Sequence, residues 1–163
     1  MIISDSSPII VLGKQGKLEL LKNCFNKVII PKEVYNEIIV KNQSNEVISL
    51  NKAINEKWII IEDVKINELI KEAKIEKGEK EVITLAYKYK VSLITDDESA
   101  RYYSSLFNLE AHGTLYVLLL SYKKNFISKD KVKELLDSII KNGFFVSDNL
   151  IFTFLEALEF IKP

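Results

Sequence analysis

The chain has 163 residues, 47% of them hydrophobic and 28% charged, which is the size of one domain with enough apolar material to bury a core unaided. Its 23 basic and 23 acidic residues cancel to a formal net charge of zero, so no global cationic field draws in nucleic acid or anionic lipid, and any polyanion contact has to be local. The single cysteine, Cys24, excludes an internal disulfide and any cysteine-built zinc or iron–sulfur site and fits a reducing, cytoplasmic compartment.

No targeting segment or membrane role is expected, because Asp5 interrupts the N-terminus and the apolar run at 116–120 is far too short to span a bilayer. With five glycines, three prolines and no visible repeat, residues 1–163 are expected to form a single domain.

Residues 1–5 (M-I-I-S-D) read as a short strand ended by an acid, and Ser6-Ser7-Pro8 supplies cap hydroxyls and a proline for the first helical position. An amphipathic stretch over 17–25 leads to the β-branched run Val28-Ile29-Ile30, and Pro31 opens a helix carrying Val34, Tyr35, Ile38 and Ile39. A helix over 46–56 precedes a strand over 58–61, and helical segments lie on either side of Gly78, the second over 79–89.

Residues 91–95 (V-S-L-I-T) predict a buried strand that ends in Asp96-Asp97 before a helix over 98–107. A short strand over 109–111, an apolar helix from Gly113-Thr114 to about 124, a helix capped by Ser128 and running to 141, and a last helix capped by Ser147 or Asp148 complete the chain. Strands alternating with helices predict a parallel sheet with helices on both faces, whose ligands bind beyond the carboxyl ends of the strands.

Two such strand ends carry acids: Asp5, and the pair Asp96-Asp97. An aspartate there is often no more than a helix cap, but Ser6 and Ser7 already offer cap oxygens, and a doubled acid exceeds what one helix start needs. Glu37 and Glu81 stand at the borders of the apolar faces of their helices, near enough to helix starts to face a shared cleft. Gathered carboxylates repel unless a cation is present, and with hard oxygens as the only ligand set, magnesium or manganese is expected rather than zinc. Such ions in carboxylate cages hydrolyse phosphodiesters. His112, with no partner at ligand spacing, reads as a turn residue. Arg101, the only arginine, lies four residues after Asp97, where it can pair with that carboxylate or reach a phosphate.

Four motifs, S-D-S-S-P at 4–8, G-E-K-E-V-I-T-L-A at 78–86, L-I-T-D-D-E-S-A-R at 93–101 and H-G-T-L-Y-V-L-L at 112–119, resemble the PIN domain, nearest to its small prokaryotic branch commonly encoded beside a short antitoxin. The resemblance implies a three-layer αβα sandwich with a central, mostly parallel sheet. It also implies a magnesium- or manganese-dependent ribonuclease acting on single-stranded RNA, often dimeric and in many members the toxin of a toxin–antitoxin pair. By motif the family acids match Asp5, Glu37, Glu81 and Asp97, with Asp5, Glu81, Asp96 and Asp97 toward the metal. Asp97 is favoured over Asp96 because the family acid usually stands two places after the strand's terminal threonine, here Thr95. Ser6, Ser7, Arg101 and Thr114 take the substrate-contacting positions.

The expected partners are thus RNA, an antitoxin protein and a second copy of the chain. A reading from another class is a catalytically weak PIN-like module that acts by binding a protein or RNA partner. Tyr102 and Tyr103, beside Arg101, are candidates for base stacking or ordinary packing.

Overall fold

The computed structural model of the protein describes residues 1–40 and 44–163. Its strands are β1 (Ile2–Ser4), β2 (Val28–Pro31), β3 (Ile59–Glu62), β4 (Leu93–Ile94) and β5 (Ala111–His112). They form one parallel sheet in the order β3-β2-β1-β4-β5. β1 and β2 are buried at every residue, as the unbroken apolar runs of central parallel strands require.

The helices are α1 (Ser6–Lys14), α2 (Glu19–Phe25), α3 (Lys32–Val40), α4 (Asn45–Asn55), α5 (Glu68–Lys71), α6 (Lys77–Tyr89), α7 (Glu98–Leu106), α8 (Thr114–Lys123), α9 (Lys129–Lys141) and α10 (Asp148–Phe160). α6 packs across β1, β2 and β4 and also meets α3, α5 and α7, while α8 gathers α1, α2, α9 and α10. These two groups are the outer layers of an αβα sandwich, the architecture expected from the alternating elements. Ile3, Ile30, Leu93, Val34, Leu85, Val117, Val132 and Leu158 belong to one continuous core between the layers.

Several boundaries differ from the sequence expectation. β4 is shorter than residues 91–95, because the Val91 N–H turns back to the Ala86 carbonyl at the end of α6 (3.2 Å) and Lys90 takes a left-handed conformation there. Pro31 closes β2 instead of opening α3, a position at a strand end where its missing N–H removes nothing from the ladder. Gly78 lies within the first turn of α6 and does not interrupt it. Pro8 is the third residue of α1, whose N-cap is Asp5.

α1 and α4 approach closely at Gly13, where an added Cβ would sit 2.8 Å from the Cβ and 2.9 Å from the Cα of Glu46. Gly13→Ala should therefore destabilise the protein by about 1–2 kcal/mol, overpacking against backbone outweighing the gain in helix propensity. Urea denaturation checks this, and a stabilised variant would mean that the two helices separate freely.

Candidate active site

The strand order reverses direction between β1 and β4, so the crevice beyond their carboxyl ends is the topological switch point of the sheet. Ser4 pairs with Ile94, and the Asp5 N–H donates to the Ile94 carbonyl (2.9 Å), which carries the next residues of both strands into that crevice side by side. Asp5 is 6% exposed. Its Oδ1 accepts the Ser6 N–H (2.8 Å) and its Oδ2 accepts the Thr95 hydroxyl (3.0 Å). Asp5 thus caps α1 itself, contrary to the expectation that Ser6 and Ser7 would relieve it of that task. Burial pushes its carboxyl above the ordinary range; the two hydrogen bonds oppose this, and the charges of Asp96 and Asp97 add to it.

The two acids after β4 divide their work. Asp97 caps α7, its Oδ1 accepting the Ala100 N–H (2.7 Å). Asp96 is held by the Ser7 hydroxyl (2.9 Å), the Thr114 N–H (2.7 Å) and the Thr114 hydroxyl (2.6 Å), and so ties α1 to the start of α8. Gly113 permits that approach, since a Cβ there would lie 2.9 Å from Asp96 Oδ1. Ser7 and Thr114, read from sequence as substrate contacts, are thereby committed to Asp96, while Ser6 contributes its backbone N–H to Asp5. Arg101 does not pair with the Asp97 carboxylate as its spacing suggested: its Nη2 donates to the Asp96 carbonyl (3.2 Å), because Asp97 is already turned toward the α7 backbone.

Glu79, which the sequence reading passed over, belongs to this group. Its carboxyl is pushed up to about 7, first by burial and then by the charges of Asp97, Asp5 and Glu76, against a hydrogen bond from the Glu76 N–H (2.9 Å). The signal for it was available: Glu79 stands three and four residues before Val82 and Ile83, which are both buried, so it lies on the inward side of α6.

Glu81, 4% exposed, is not brought to the same point. It accepts the Glu33 N–H (3.3 Å) at the start of α3 and pairs with Lys77 (3.7 Å), with burial raising its carboxyl above the usual range. Glu37 projects from α3 onto the first turn of α6, with Oε1 2.5 Å from the position a Gly78 Cβ would take. Tyr103 accepts the Lys74 N–H (3.2 Å) and meets Tyr102 edge to face, a packing arrangement.

Among the described residues no three acids close on one point as a finished cation cage; each carboxylate is held by its own donors. The donor set nevertheless fits a hard divalent cation. Burial and the Asp97 and Asp5 charges hold Glu79 partly protonated near neutrality, and a bound cation would remove that penalty. Asp5, Asp97 and Glu79 are the residues that would hold it.

The raised Glu79 carboxyl also makes stability depend on pH. Between its ordinary value of 4.5 and about 7 the folded chain holds a proton that the unfolded chain has lost, so the cation-free protein loses stability as pH rises through that window. Glu79→Gln keeps an oxygen for the Glu76 N–H and removes the ionisation. The stability gained by this variant should grow from near zero below pH 4.5 to its full size above about 7. Urea midpoints measured in chelator would show this, and a gain independent of pH would place Glu79 outside the field of Asp5 and Asp97.

A comparison with curated proteins finds no match. Among solved structures, a PilT N-terminus domain protein from the hyperthermophilic archaeon Sulfolobus solfataricus P2 is similar at 16% identity and a TM-score of 0.49, over 90% of this chain and 100% of that one. The family model described as the PIN domain matches residues 1–159. That match covers nearly the whole chain, including the residues that border the switch-point crevice, and the chain belongs to the PIN domain family.

Proposed function

We propose that this protein is a divalent-cation-dependent ribonuclease that hydrolyses phosphodiester bonds in single-stranded RNA, working in the cytoplasm as the toxin of a toxin–antitoxin pair and as a homodimer. PIN domains are typically nucleases and generally use divalent metal ions. The observation that carries the reading for this chain is the field of acids at the switch point, where Asp97 raises the cost of charging both Asp5 and Glu79, and Asp5 adds to that of Glu79.

Asp5, Asp97 and Glu79 would hold magnesium or manganese, which would supply charge neutralisation at the phosphate and a lowered pKa for water. The chain's own residues do the positioning. Thr95 and the Ser6 N–H fix both oxygens of Asp5, and the α7 backbone fixes Asp97, so the ligands are set before substrate arrives. Asp96 orients the crevice from behind through Ser7 and Thr114. Arg101, anchored on the Asp96 carbonyl beside the acids, is the cation available to a phosphate oxygen. Glu81 acts from further back, holding the start of α3, and with it Glu37, against α6.

Purified protein should cleave single-stranded RNA with magnesium or manganese. Asp5→Asn and Asp97→Asn should each lower kcat/KM by ~10²-fold or more, and Arg101→Lys by less, because lysine keeps the charge and loses the planar fork. RNA that survives both metals would overturn the reading. Independently of turnover, either metal should raise the Tm of the wild type through binding to the folded state, and Asp5→Asn should lose most of that rise against its own metal-free baseline. Equal shifts in the two proteins would put the metal elsewhere.

A further inference from the structure

A cavity of about 780 Å³ adjoins the acids, between the start of α7, the β5–α8 turn, and the segment running from Phe144 into α10. That volume is typical of small-molecule sites, roughly 300–1,000 Å³. Asp96, Asp97 and Arg101 form one wall, and the remainder is largely aromatic and apolar, including His112, Tyr116, Phe145 and Phe154. His112 and Tyr116 are stacked, with ring centroids 3.9 Å apart and planes 10° from parallel. Tyr116 is 37% exposed and Phe145 90% exposed. Burial also lowers the His112 pKa, which keeps the imidazole neutral at physiological pH and suited to stacking. In the polar wall, Arg101 Nε is buried and has no hydrogen-bond partner among the described residues.

We propose that this cavity is a nucleobase subsite, taking one unpaired base of the strand whose phosphate lies at the acids. The proposal rests on the ribonuclease reading above. Two parallel rings extend naturally to a third flat ring, and stacking of a base on an aromatic side chain is worth roughly 1–3 kcal/mol whatever the base. Arg101 lines the pocket next to Asp97 and places a positive charge at its phosphate side. A chain with no net positive charge has little electrostatic attraction for a polyanion as a whole, so stacking in an apolar cavity is the local source of affinity open to it.

Calorimetric titration of the full chain in magnesium with the four ribonucleoside 5′-monophosphates and with ribose 5-phosphate tests this. At least one nucleotide should bind 10-fold or more tightly than ribose 5-phosphate. Tyr116→Ala should weaken that binding by ~5- to 150-fold, the range that the stacking energy implies, and Tyr116→Phe should preserve it. Phe145→Ala, at a side chain so exposed that folding is not at stake, should weaken binding without changing the Tm.

Equal binding of nucleotide and ribose 5-phosphate, or wild-type affinity in Tyr116→Ala and Phe145→Ala, would overturn the subsite. So would self-association abolished by Phe145→Ala with no discrimination among the small ligands, which would make the groove a protein interface. RNA cleavage with KM untouched by Tyr116→Ala refutes the subsite and leaves the nuclease reading standing. Base-selective nucleotide binding without RNA cleavage does the reverse.

Discussion

The parallel pairing of β1 with β4 is the constraint on which the rest of the molecule depends. These strands are distant in sequence, and their pairing through Ile3–Leu93 and Ser4–Ile94 brings Asp5 beside Thr95. The Thr95 hydroxyl then closes the junction by donating to the buried Asp5 carboxylate. Everything chemical in the crevice follows from that adjacency: without it Asp5 is a helix cap at one strand end and Asp97 a helix cap at another.

Placing acids together works against folding, and the structure shows how the cost is spread. Each carboxylate is met by donors that belong to the backbone or to small hydroxyls: Ser6 and Thr95 for Asp5, Ala100 for Asp97, Ser7 and Thr114 for Asp96, Glu76 for Glu79. Burial still wins for Asp5 and Glu79, whose carboxyls are held above their ordinary range. A site of this kind is less stable than its scaffold and is carried by the core around it, where buried strands pack against Val82, Leu85 and Ala86 of α6 and Leu115, Val117 and Leu118 of α8.

The C-terminal segment gives the crevice a second character. α10 contributes Phe154 and Leu158 to the core while leaving Phe152 and Phe160 exposed, and Phe145 stands clear of the body. Its approach to α8 turns what would be an open sheet edge into a cavity that shares Asp96, Asp97 and Arg101 with the acid cluster. Acid chemistry and aromatic surface are therefore adjacent because one turn, β5 to α8, contributes to both through Thr114 on Asp96 and through the His112–Tyr116 stack.

By itself the sequence determined the class of the fold and two of the site's corners. Alternating apolar runs and helical periodicities dictate a parallel sheet covered on both faces, and an acid directly after a buried strand must emerge at the carboxyl edge, which places Asp5, Asp96 and Asp97 there. Tertiary structure alone decided what each acid does. Local spacing put Arg101 on Asp97, yet it bonds the Asp96 carbonyl, because which donor reaches a carboxylate depends on helices contributed from elsewhere in the chain. Two glutamates two residues apart on α6 look alike in a periodic pattern; Glu79 joins the field of Asp5 and Asp97 while Glu81 meets the start of α3, because they leave the helix about 200° apart and different elements cover the two directions. The pocket beside them has no local signature, since its walls come from three segments that only folding makes neighbours.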